Sequence, residues 1–193
     1  MLEQERRRRK RPGTTPRERG AVLKDSSYNQ CVPFHLRDFK PGDFERLHAI
    51  DQECFPPRIA YSRRELAYYM KLEGAFTLVA EDEQRKIAGF IVAQRYPKGM
   101  GHIVTIDIVK AHRRSGLGTL LMKEAEKRLK ESGCHAIALE TAVDNTAAIV
   151  FYQRLGYFVL KTLPHYYPND TDAFLMGKRF DQQIPGDASH KQR

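Results

Sequence analysis

Between His102 and Leu121 the chain passes from a run of β-branched residues into a basic, glycine-punctuated loop and then an amphipathic helix. His102–Val109 reads as a buried strand. Arg113-Arg114-Ser115-Gly116-Leu117-Gly118 follows, and Gly116–Glu131 puts Leu117, Leu120, Leu121, Ala125 and Leu129 on one helical face, with Gly133 placed for a left-handed cap. A strand feeding a helix through so short a loop predicts helices packed on a sheet. The loop is also an anion site on physical grounds. A helix start presents several unpaired N–H groups and about half a positive charge. Gly116 and Gly118 admit a phosphate close to the backbone, and Arg113 and Arg114 add charge. The spacing is neither that of a Walker loop nor that of a dinucleotide fingerprint, because Leu121 stands where the third glycine would be.

The other elements follow from periodicity. Val32–Arg37 alternates like a strand, and Pro41-Gly42-Asp43 opens a helix carrying Phe44, Leu47, Ile50 and Asp51 that Phe55-Pro56-Pro57 ends. Ser62-Arg63-Arg64-Glu65 has capping-box spacing ahead of Leu66, Tyr69 and Met70, which predicts a second helix. Phe76–Glu81 and Lys86–Tyr96 form a predicted hairpin around Asp82-Glu83-Gln84-Arg85. Ala136–Ala142 is a strand, Asn145–Leu155 a helix stopped by Gly156, and Tyr157–Leu163 and Ala173–Lys178 are two closing strands.

Composition bounds the function. The 193 residues are 41% hydrophobic and 30% charged, which suits one globular domain. No run approaches ~20 apolar residues, so no membrane span is expected, and no apolar leader region is read near the start. Cys31, Cys54 and Cys134 are scattered and fit neither a zinc site nor a disulfide framework, so no metal is expected and a reducing cytoplasm is the natural compartment. Of the net charge of +9, residues 1–20 hold +5, from eight Lys/Arg against three acids. Residues 1–30 therefore read as a disordered basic arm, a solvated tail or a contact for RNA or the ribosome. Residues 31–180 read as the domain and 181–193 as a flexible tail.

A second motif, Asn145-x-x-Ala148-x-x-Phe151-Tyr152-x-x-x-Gly156-Tyr157, lies about thirty residues after the first. With the Arg-x-x-Gly-x-Gly helix start and the order of elements, it resembles the GNAT superfamily of acetyl-CoA-dependent N-acetyltransferases over roughly residues 32–179. Within it the chain looks most like the ribosomal-protein alanine acetyltransferase (RimI-like) branch. That likeness rests on Cys54-Phe55-Pro56, on Glu140 twelve residues before Tyr152, and on His165-Tyr166-Tyr167-Pro168 followed by Asp172-Ala173.

The resemblance implies an α/β domain of α+β type, with a mixed central sheet of about seven strands flanked by helices and splayed to admit acetyl-CoA. It implies that the backbone of Ile106, Asp107 and Ile108 holds the pantetheine arm and polarises the thioester. It places the pyrophosphate on Arg113, Arg114, Ser115, Gly116, Leu117 and Gly118, and the cofactor's arm on Asn145. Glu140 becomes the general base and Tyr152 the general acid. Elementary chemistry agrees: an amine attacking a thioester needs a base, oxyanion donors and a proton source for the thiolate. Each residue also has a plainer reading. Tyr152 would serve as a core tyrosine, Glu140 as a solvated carboxylate, Asn145 as a helix cap and the arginines as solvated charge. Phe55, Tyr166 and Tyr167 line an acceptor groove or pack on the last strand. His102, His112 and His165 read as structural or surface residues.

Asp107 departs from the branch pattern, which carries a small residue there; it either turns to the acceptor or needs a buried partner. Three functions are compatible with these residues. The first is acetyl transfer to a peptide or protein N-terminal amine. The second is transfer to lysine or a small-molecule amine. The third is a non-catalytic RNA- or ribosome-associated domain working through its arm. The oligomeric state is not legible.

Overall fold

The computed structural model describes residues 34–180. The readings made for 1–30, for Cys31–Pro33 and for 181–193 lie outside the described residues. In chain order the elements are β1 (His35–Asp38), α1 (Phe44–Cys54), α2 (Arg63–Lys71), β2 (Ala75–Glu81), β3 (Ile87–Tyr96), β4 (Met100–Ile108), α3 (Leu117–Glu131), β5 (Ala136–Ala142), α4 (Thr146–Arg154), β6 (Phe158–Leu163) and β7 (Ala173–Arg179). They match the sequence expectation to within a few residues at each end. The local chemistry is visible at the termini. Ser62 and Glu65 close a reciprocal capping box on α2, while Gly133 and Gly156 take φ of +90° and +88° after α3 and α4.

The sheet has seven strands in the order β1-β2-β3-β4-β5-β7-β6. Every pairing is antiparallel except β4 with β5. Alternation along the strands sends side chains to two cores. Leu78 and Ala80 of β2 and Ile91 and Ala93 of β3 join Leu117, Leu121, Ala125 and Leu129 of α3 and Tyr152 of α4 on one face. Val79, Phe90 and Val92 join Leu47 and Ile50 of α1 and Leu66 of α2 on the other. Each fully buried aliphatic chain contributes about 1.5–3 kcal/mol, so the sheet is held from both sides.

Two irregularities in β4 interrupt this regular sheet. Val92 faces Thr105 while the next residue, Ala93, faces Ile103, so Val104 is an extra residue, a β-bulge. The bulge reverses the phase of the strand: Ile103, Ile106 and Ile108 all pack toward α3, and Val104 packs toward α1 and α2. The Tyr61 hydroxyl donates to the Val104 carbonyl at 3.4 Å. Secondly, β4 and β5 pair only from Met100 to His102, against Ala136 to Ala138. Beyond that point β5 continues to pair with β7 as far as Ala142, and β4 with β3 as far as Ile108. The two strands therefore part in the middle of the sheet, leaving a cleft between Ile103–Ile108 and Leu139–Ala142.

Candidate active site

The cleft is bounded on one side by the backbone of Ile106, Asp107 and Ile108. Ile106 and Ile108 turn their side chains to the α3 core. Asp107 turns away from it and is fully buried. Of the two orientations left open by the sequence, the structure takes the one that needs a buried partner. That partner is the Thr105 hydroxyl, which donates to Oδ1 at 3.2 Å; Oδ2 accepts nothing among the described residues. Burial, reinforced by the charge of Asp51, holds the Asp107 carboxyl well above the ordinary carboxylate range. Asp51 of α1, equally buried, is raised by burial to about 6, against the Tyr61 N–H and the Gln52 amide that donate to it.

The end of β4 leads into the anion loop. Gly116 is the N-cap of α3 at φ +86°, no side chain caps the helix, and its first turn carries no acid. The leading N–H groups are thus left for a ligand. Arg114 is also left-handed, at φ +63°, so alternate residues of the loop are left-handed and the N–H groups can converge on an anion. The Ser115 hydroxyl donates to the His112 carbonyl at 2.6 Å and braces the turn. Arg113 and Arg114 are both exposed; Arg113 Nε donates to the Ile108 carbonyl at 3.0 Å and its Nη2 to Cys54 Sγ at 3.4 Å. A Cβ at Gly116 would meet nothing within 4 Å, so glycine is required there by backbone angle. At Gly118 the reason is contact, because a Cβ would lie 3.1 Å from Phe151 and 3.2 Å from Ile108.

On the same face, Asn145 caps α4 by accepting the Ala148 N–H at 3.2 Å, which leaves its amide N–H groups unengaged among the described residues. Tyr152 is 7% exposed, wedged between Phe151 and Tyr157, and its hydroxyl has no partner among the described residues. Burial, with the charge of Asp107 and the Tyr167 phenol, raises its pKa far enough to keep it protonated.

The opposite face carries the feature that sequence reading missed. Ile137 and Leu139 of β5 enter the α3 core, so Glu140 points the other way. His102, at the last ladder position before the strands part, meets it there: His102 Nε2 lies 2.7 Å from Glu140 Oε2. The Tyr96 ring stacks on the imidazole at 5.5 Å and 16°, with its hydroxyl 3.4 Å from Nδ1. The contact depends on a parallel register that no local motif encodes. His112, beside Asp82 and Phe34, and His165, beside Asp170, remain structural.

Around this pair stands an aromatic wall. Tyr166 and Tyr167 meet edge to face at 5.1 Å, and each phenol is pushed up to about 12 by burial and then by the Glu140 charge. Tyr61 packs on Tyr69 at 5.1 Å. Phe55 ends α1, its N–H donating to the Asp51 carbonyl at 3.1 Å; the ring that this connection brings against another tyrosine is that of Tyr61. Among the described residues, no three His, Cys, Asp or Glu side chains converge as a metal would require.

The sheet thus parts between β4 and β5, with an uncapped helix start on one face and a His–Glu pair on the other. The model of the acetyltransferase (GNAT) family matches residues 44–157, and the chain belongs to that family. It is 40% identical over 154 residues to an N-alpha-acetyltransferase of Sulfurisphaera tokodaii, covering 74% of this chain and 91% of that one. It is 39% identical over 117 residues to N-alpha-acetyltransferase 30 of Schizosaccharomyces pombe, covering 59% and 78%. Among solved structures, the NatC complex bound to Gag peptide and CoA superposes with a TM-score of 0.67 at 25% identity, covering 76% of this chain and 98% of that one. The protein is an acetyltransferase, and acetyl-CoA is its co-substrate. The uncapped α3 start, the exposed Arg114 and the free edge of β4 are chemically suited to hold it.

This geometry has two testable outcomes. A β-branched residue does not adopt φ +86° without strain, so Gly116→Val should weaken acetyl-CoA binding at least about tenfold by calorimetry. Unchanged affinity would remove the loop from the cofactor site. Asp107 and Asp51 bind protons more tightly folded than unfolded. The stability they carry is full below about pH 4 and is lost as pH rises, through about 6 for Asp51 and higher for Asp107. Asp107→Asn should therefore gain on the wild type in urea midpoint between pH 5 and 8. A pH-independent difference would show that Asp107 titrates normally.

Proposed function

We propose that the enzyme transfers acetyl from acetyl-CoA to the α-amine of a protein or peptide N-terminus. The observation that carries this is the His102–Glu140 pair facing the tyrosine wall, on the face opposite the cofactor loop. The named relatives, N-alpha-acetyltransferases at up to 40% identity, support the same acceptor.

When bound, acetyl-CoA supplies an activated thioester whose carbonyl takes up charge as the amine attacks. The roles of the chain's own groups follow from their positions. N–H groups on the free edge of β4, near Ile106 and Ile108, face the cleft as oxyanion donors. Glu140, with His102 hydrogen-bonded to it, takes the proton from the incoming amine, directly or through a water. Tyr152, held protonated by burial, donates a hydrogen bond to the departing sulfur from the opposite face. Because its pKa is raised, full proton transfer to the thiolate is uphill; its contribution is to stabilise that charge. The amine makes modest demands on the base. An α-amino group of pKa about 7.7–8.0 is roughly one-third neutral near pH 7.5, against about 0.1% for lysine.

Direct transfer suits the cysteines. Burial raises the Cys54 thiol, with Asp107 adding to it, so it is a poor nucleophile, and Cys134 is buried. The RimI-like assignment rests on the Cys54-Phe55-Pro56 and Tyr166-Tyr167 stretches and is part of the proposal, as is a cytoplasmic setting. Contact of the basic arm with RNA or the ribosome is likewise proposed.

Mass spectrometry on paired peptides tests the reading. One set has free N-termini beginning Ala, Ser, Thr or Met; the other is blocked, with one internal lysine. Acetyl gain is expected on the free α-amines alone, and gain only on blocked lysine peptides would overturn the acceptor. On the preferred peptide, Tyr152→Phe should lower kcat about 100-fold or more while acetyl-CoA affinity stays within about twofold. Equal losses in both would make Tyr152 a binding residue.

A further inference from the structure

His102 occupies the last pairing position before β4 and β5 part. Its backbone is held on both sides, opposite Gln94 of β3 and Ala138 of β5. Glu140 stands two residues further along β5, on the same face as Ala138, and its own backbone is paired with Leu175 of β7. Residues set diagonally across a ladder are within reach of each other's long side chains. These two meet at 2.7 Å between His102 Nε2 and Glu140 Oε2, with side chains 17% and 19% exposed, so water competes little for the contact. The Tyr96 ring covers one face of the imidazole. Glu140 Oε1 has no protein partner among the described residues. The pair therefore engages one carboxylate oxygen and leaves the other. It is not needed to join the strands, because Met100–His102 already pairs with Ala136–Ala138 and β7 braces β5 along its length.

The choice of partner also matters. The part-buried acids Asp43, Glu81 and Glu126 are held by permanent cations, the first two by Arg37 and the third by Lys178. Arg37 pulls Asp43 and Glu81 below the ordinary carboxylate range, which makes each a weaker base. Among the described residues no Lys or Arg pairs with Glu140; around it stand the phenols of Tyr96, Tyr166 and Tyr167. An imidazole can fix a carboxylate through one N–H without a permanent charge, which an ammonium or guanidinium cannot. We propose that His102 is a positioning residue for Glu140: it pins Oε2, fixes the plane of the carboxylate and turns Oε1 to the incoming amine. This rests on the reading of Glu140 as the base. In the step it serves, the amine nitrogen bonds the acetyl carbon and one of its N–H protons passes to Oε1, directly or through a water. The C–S electron pair leaves with the sulfur. His102 neither gains nor gives a proton.

The test is a double-mutant cycle on the full chain, with acetyl-CoA and the preferred free-N-terminal peptide. His102→Ala should lower kcat about 10- to 100-fold, the cost of a misplaced reacting group, with peptide KM and acetyl-CoA affinity within about twofold of wild type. Glu140→Gln should lower kcat at least about 100-fold. In the Glu140→Gln background His102→Ala should then cost less than about twofold, because there is no base left to position. The same loss in both backgrounds would make His102 merely structural and overturns the proposal. A rise in peptide KM with kcat unchanged also overturns it, by placing His102 in the peptide site. His102→Gln, whose amide reaches as far and donates an N–H, should recover most of the loss; glutamine no better than alanine would remove the hydrogen bond as the cause. Acetyl-CoA affinity by calorimetry reports an intact fold, and His102→Asn, too short to reach Oε2, takes the place of His102→Ala if that variant fails to bind. Failure of the base reading itself would appear separately, as near wild-type kcat in Glu140→Gln alone.

Discussion

A parallel ladder that stops after three residue pairs is the constraint on which the site depends. Backbone N–H and C=O groups in a sheet must find partners, and β4 beyond His102 has lost those on its β5 side. The fold does not close the gap. The bulge at Val104 turns the strand, Tyr61 secures the bulge carbonyl, and β7 takes the outer edge of β5 along its whole length. The strands are thus held apart by pairings elsewhere, and the unsatisfied edge is left for an amide-bearing ligand. The α3 start adds a second set of unsatisfied N–H groups at the end of the same strand.

Electrostatics divides the cleft between its two faces. On the α3 side the groups are neutral or cationic: free amides, Arg114 and a phenol that burial keeps protonated. The carboxylate of the proposed chemistry, Glu140, stands on the other side, under the tyrosines. A negative cofactor and an amine acceptor therefore meet fields of suitable sign from opposite directions. Between them, burial holds the Asp107 carboxyl well above the ordinary carboxylate range, which disfavours a negative charge that would oppose both the thiolate and the oxyanion.

The elements that periodicity marks, from the capping box at Ser62 to the glycine stops at Gly133 and Gly156, were legible because their signals are local. The anion loop was legible for the same reason: glycine, arginine and a helix start lie within six residues. Arg113 shows the limit. Residue type suggested a phosphate ligand; its Nε and Nη2 also meet the Ile108 carbonyl and Cys54, a partner 59 residues away that no local motif shows. His102 read as structural because Glu140 is 38 residues distant and meets it only through the β4–β5 register. The sequence showed what could bind an anion and what could move a proton; which of these groups are left free is a property of tertiary contacts.

The two-faced cleft has an evolutionary corollary. The donor side hangs on β4, α3 and α4, whose residues are also core residues, so change there carries a cost in folding. The proposed acceptor wall hangs on the α1–α2 connection and on the segment between β6 and β7, where Tyr166 is exposed. Those loops can diverge while the donor half stays constant. Such an architecture lets one chemistry drift among amines by rewriting two short segments, so specificity in this protein is best sought in the loops around Tyr61 and Tyr166.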